Sequence, residues 1–154
     1  MATPMFDSIW HLRGSVALDG VGSHESALDG VERLLEMQRK GISEHGPNSL
    51  TFDDPLWSNP LRPNWLAMAI YDRGCFWIAQ DAAGQRLRYD LRSLHGMIFC
   101  LFGALMFFFF GLANDGVAGG LKFAGSVFAW LYGINVLIAF IRVPRAIRKA
   151  VQNA

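Results

Sequence analysis

Cysteine is scarce in this chain: Cys75 and Cys100 are the whole complement. Two are too few for a disulfide framework, and neither has a neighbour at metal-ligand spacing. The four histidines, His11, His24, His45 and His95, share no i, i+4 or H-x-x-E-H spacing, so no metal site is expected. Charge is sparse as well, 18% of residues against 52% hydrophobic, which excludes a disordered or collagen-like polypeptide. The first residues lack a basic n-region followed by an apolar h-region, so the amino-terminal part is expected to stay on the side where it is made. A basic stripe is missing too. Residues 1–92 carry nine Lys or Arg against twelve Asp or Glu, which argues against a nucleic-acid partner.

What is present in excess lies after Leu94. Residues 93–114 hold 22 positions without a formal charge if His95 is neutral, and a second uncharged stretch runs over residues 123–141. A helix rises about 1.5 Å per residue, so about 20 residues cover the hydrocarbon of a bilayer. The expectation is a two-helix transmembrane hairpin: a first span over 94–113, a short extracytoplasmic loop over 114–120, a second span over 121–143 and a basic juxtamembrane tail over 144–154. The loop starts Asn114-Asp115-Gly116 and has two more glycines, which suits a tight connection. Arg86, Arg88 and Arg92 precede the first span and Arg142, Arg145, Arg148 and Lys149 follow the second, against Lys122 alone between them. Positive residues stay inside, which puts both termini in the cytoplasm of a bacterial-type inner membrane. Arg92, Arg142, Arg145, Arg148 and Lys149 are then candidates for lipid headgroup contact.

Small residues recur at every fourth position in both spans: Gly96, Cys100 and Ala104 in the first, Gly125, Ala129 and Gly133 in the second. Such faces let helix backbones approach closely, within one hairpin or between chains. Asn135, an amide inside the second span, is expected to bond across the hairpin. Trp130 and Tyr132 sit deep rather than at the interfacial belts, which suggests a protein-facing surface. No acidic residue lies within either span, so a stand-alone ion pathway is not expected.

The first 92 residues predict an α+β head, a small mostly antiparallel sheet with one covering helix. Residues 9–19 alternate in polarity, as a half-buried strand does. Ser23 suits an N-cap for a helix running to Lys40, with Ala27, Leu28, Val31, Leu34 and Leu35 on one face and Gly41 as its stop. Short strands follow over 41–45 and 49–52, a hairpin over 66–71 and 75–80, and a last strand over 86–92 that leads straight into the first span. Residues 55–65 contain Trp57, Trp65 and three prolines, and rigid exposed tryptophans mark interfaces.

Motifs for chemistry are weak. Gly20-Val21-Gly22 lacks the third glycine of a dinucleotide turn and is flanked by Asp19 and Glu25, so it is a plain tight turn. His95 has no second intramembrane histidine to share a haem, so no cofactor is expected. Asp53 and Asp54 before Pro55 are turn formers. No nucleophile pairs with a base at a recognised spacing, so no catalytic residue is assigned. The expected function is that of a non-catalytic accessory or assembly subunit. It would dock on a larger membrane complex, or on its own copies, through the hairpin and the Trp loop. The alternative is a self-associating protein that binds anionic lipid through its basic tail.

Overall fold

The computed structural model describes residues 9–18, 24–54, 67–82 and 84–153. These form strand β1 (His11–Ala17), helix α1 (His24–Met37), strands β2 (Ile42–His45), β3 (Ser49–Asp53), β4 (Arg73–Asp81) and β5 (Gly84–Arg92), and then a long apolar helical run. The strands make one antiparallel sheet in the order β1-β5-β4-β3-β2.

Alternation puts Leu12, Val16, Leu50, Phe52, Phe76, Leu87, Tyr89 and Leu91 on one face of the sheet, all buried. On α1, Ala27, Leu28, Val31, Leu34 and Leu35 fall at helical spacing and are buried against that face. The helix stops at Met37, short of the expected Lys40 and Gly41. Arg39 takes a left-handed conformation (φ 55°), its N–H donates to Glu36 O and the Lys40 N–H to Leu35 O, each at 2.9 Å. That is a Schellman stop made without glycine, and it turns Lys40 inward.

One expected strand is not formed. Residues 67–70 are turns, with the Tyr71 N–H donating to Met68 O at 3.1 Å and the Met68 N–H to Gln38 Oε1 at 3.1 Å. Met68 and Tyr71 are buried, so this segment plugs the core instead of pairing. The hairpin partner of β4 is β5, in register from Arg73 opposite Arg92 to Asp81 opposite Gly84.

After Ser93 the structure holds one long apolar helical run, Leu94–Gln152, rather than two separately bounded helices. It comprises α2 (Leu94–Phe128), a π-helical turn (Ala129–Gly133) and α3 (Ile134–Gln152). The connection expected over 114–120 is helical except at Asp115 (φ −129°) and Gly116 (φ 69°). The run bends there. Ser93 Oγ lies 3.0 Å from Tyr132 OH across 39 positions, whereas a straight helix would part them by about 58 Å. A Cβ at Gly111 would meet Gly119 O at 2.8 Å, one at Gly120 would meet Phe108, and the Phe110 and Phe123 rings stand edge to face at 6.0 Å.

The tail departs most from expectation. Residues 144–152 are not a free tail: they belong to α3, which packs on α1, with Ala139, Val143, Ile147 and Val151 buried in the core of the head. The sheet face is thus covered by two helices, α1 and the end of α3, because α1 alone is too narrow for five strands. From Ile98 to Ile141 the run is apolar and largely exposed, including Phe99 at 70%, Met106 at 63% and Phe140 at 61%.

Candidate functional site

The densest polar constellation sits where the head meets the apolar run. Asp72, at the turn before β4, is 3% exposed. Its Oδ2 accepts from Arg92 Nε at 3.0 Å and Nη2 at 2.7 Å. Its Oδ1 accepts the His95 backbone N–H at 3.3 Å, in the first turn of α2. A carboxylate there also suits the positive end of the helix dipole. The His95 Nδ1 lies 3.6 Å from Asp72 Oδ2 and has no hydrogen-bond partner among the described residues.

Two further links close this collar. The Ser93 N–H donates to Trp10 O at 2.7 Å. Tyr132 OH, from the π-helical turn, lies 3.0 Å from Ser93 Oγ and donates to Ile9 O at 2.9 Å. Behind the collar, Lys40 Nζ donates to Asp54 Oδ2 at 2.7 Å and to Tyr71 O at 2.6 Å, with the Phe52 ring centroid 5.7 Å from the ammonium. The Asp54 N–H donates to Asp72 O at 2.8 Å and so ties the two ion pairs together. Both carboxylates of the constellation, Asp54 and Asp72, face a cation, so the arrangement clamps these segments together. Burial pushes the Tyr71 and Tyr89 hydroxyls upward, with Arg148 opposing this at Tyr89; both stay protonated at neutral pH.

The histidines are dispersed. His11 Nδ1 lies 2.5 Å from Asp90 Oδ1 on the polar face of the sheet. His45 borders a shallow hollow with Glu25, Leu28, Asp29, Gly46 and Pro47, and the side chain of His24 lies outside the described part. Among the described residues no three of His, Cys, Asp and Glu gather in a way that would hold a metal ion. Cys75 and Cys100 are free thiols.

The small-residue faces divide. Gly96 packs on Ile70, a Cβ there meeting Ile70 O at 3.2 Å, and Ala104 is buried, with Cys100 between them half-buried. Gly125 and Gly133 look onto open space, and Ala129 is exposed between them. Trp130 beside them is 70% exposed, whereas Tyr132 is buried in the collar. Asn135 does not bond across to α2; its Nδ2 donates to Leu131 O one turn back at 2.5 Å, where the π-helical turn disturbs the regular ladder.

Among the headgroup candidates, Arg92 is committed to Asp72, while Arg142, Arg145, Arg148 and Lys149 are exposed on α3. Trp57 and Trp65 lie outside the described residues. Sequence reasoning missed Lys40, Asp54 and Asp72 as a connected group. The available signal was Asp72 beside the Arg-Gly turn, and Arg92 at the threshold of an apolar helix. No protein-family model, no curated protein and no solved structure matches the chain.

Proposed function

We propose that this is an integral membrane protein that acts by binding: a non-catalytic accessory or assembly subunit that docks on a larger inner-membrane complex. In this reading the apolar run crosses the bilayer twice, as a helical hairpin turning at Asp115 and Gly116, and both termini are cytoplasmic. The carrying observation is the exposed apolar belt from Ile98 to Ile141. At about 25 cal/mol per Å², a surface of this kind is not left facing water. The bend at Gly116 and the meeting of Gly111 with Gly119 support the two-span form. Within the belt, the Gly125, Ala129 and Gly133 face has nothing packed on it among the described residues, which supports docking by close helix approach. The Trp57 and Trp65 loop supplies a second contact in this reading.

Purification of the full chain in mild detergent, followed by mass spectrometry, tests it. Recovery of a stoichiometric membrane partner that is lost in Gly133→Leu, with unchanged melting of the variant, is the expected outcome. A monomer recovered alone, or co-purification indifferent to Gly133→Leu, refutes the docking reading. A homo-oligomer broken by the same substitution replaces the foreign partner with a second copy.

A further inference from the structure

We infer that the outward side of α3 is a binding strip for the anionic phospholipids of the leaflet beneath the head. This rests on the membrane reading and adds a ligand to it. The first observation is a contrast in how cations are partnered, with Arg86 the exception on the sheet. On the polar face of the sheet, Arg13 pairs with Asp90 at 2.8 Å, Arg73 with Asp53 at 3.0 Å, Arg88 with Asp81 at 2.9 Å and Arg92 with Asp72 at 2.7 Å. On α3, Arg142, Arg145, Arg148 and Lys149 are all exposed, and none has a carboxylate within 4.0 Å among the described residues. Arg148 does lie near the Tyr89 hydroxyl, which is neutral. The acids of neighbouring α1, Glu25, Asp29, Glu32 and Glu36, form no ion pair with the strip.

The second observation is order along the helix. Exposed Leu137, Ile138, Phe140 and Ile141 come first and the cations start at the next residue. From Arg142 to Lys149 the helix rises about 10 Å, enough to cross one headgroup layer of about 5–7.5 Å. The third is rotation. Val143, Ile147 and Val151 are locked into the core of the head, so the cations cannot turn inward, and the apolar side of α3 is not free to insert into lipid. The strip therefore acts by charge on phosphate, with Arg and Lys side chains reaching the headgroups while their stems lie on the helix.

The test uses the full chain in mild detergent, with equimolar dioleoyl-phosphatidylglycerol and dioleoyl-phosphatidylcholine in the micelles, and counts retained lipids by native mass spectrometry. The expected result is about tenfold enrichment of phosphatidylglycerol, weakened by added salt. Enrichment should fall to near unity in R142Q/R145Q/R148Q/K149Q and persist in the control R13Q/R73Q/R88Q. Because the four side chains make no described ion pair, the quadruple variant should melt as the parent does, which separates lost binding from lost folding. Equal retention of the two lipids by the parent, or undiminished enrichment in the quadruple variant, overturns the inference and leaves the membrane reading standing. Loss of a bound protein instead of lipid, in the same variant, also overturns it. A chain that is monodisperse in buffer without detergent removes both readings at once.

Discussion

Lys40 shows how much one buried charge can demand of its surroundings. Its side chain is 1% exposed and that of Asp54 8%, so both groups have surrendered their hydration and depend on each other. Removing one partner of such a pair costs about 3–5 kcal/mol, while replacing both by apolar residues of similar size is often neutral or stabilising. Lys40→Ala is therefore expected to lower the stability of the head by about that amount in denaturant titrations. Lys40→Met combined with Asp54→Leu should recover most of it. If the double variant is no better than Lys40→Ala, the pair does more than neutralise itself. None of this was legible in the linear chain. Lys40 has the position of an ordinary helix-ending cation and Asp54 that of a turn former, and their union needs the left-handed Arg39 to bring them together. Asn135 differs for another reason: an amide in an apolar helix needs a partner, and the carbonyl one turn back supplies it within the helix itself.

Elements with strong periodicity were the readable ones. The face of α1 recurs in the structure with the expected residues buried, and β1 alternates over the expected stretch. The segment around Met68 was not readable. Apolar on both faces, it has no period to follow, and a plug that buries Met68 and Tyr71 satisfies it as well as a strand does. The apolar run was legible as an element of membrane-spanning length, and its bend follows the polar Asn114-Asp115-Gly116 signal, shortened because the flanking residues continue as helix. Thiol labelling examines the two-span reading at this scale. In a background with Cys75→Ala and Cys100→Ala, Val117→Cys and Met37→Cys place a thiol beside the bend and on the head, at positions 62% and 66% exposed. In intact cells an impermeant maleimide is expected to modify the first and spare the second until the cells are opened. Modification of the second alone would invert the orientation, and modification of both or neither would break the hairpin.

For the whole molecule, the decisive feature is that the core of the head draws on both ends of the chain, from Leu12 to Val151. A sequence that leaves the head at Arg92, runs through the apolar stretch and returns has no local sign that it will finish inside the domain it left. The basic residues of α3 invite attention, while Val143, Ile147 and Val151 beside them carry the packing. Removing residues 142–154 therefore does more than discharge a tail. Each buried aliphatic side chain contributes about 1.5–3 kcal/mol, so the three together contribute roughly 5–9 kcal/mol. A domain is stable by only about 5–15 kcal/mol, so the truncated head is expected to lose its cooperative melt and become open to proteolysis in detergent, with the apolar run still inserted. The quadruple Gln variant of α3 keeps all three core side chains and should resist protease like the parent. A truncated chain that melts like the parent would detach α3 from the core, and the head would then have to be stable on the sheet and α1 alone.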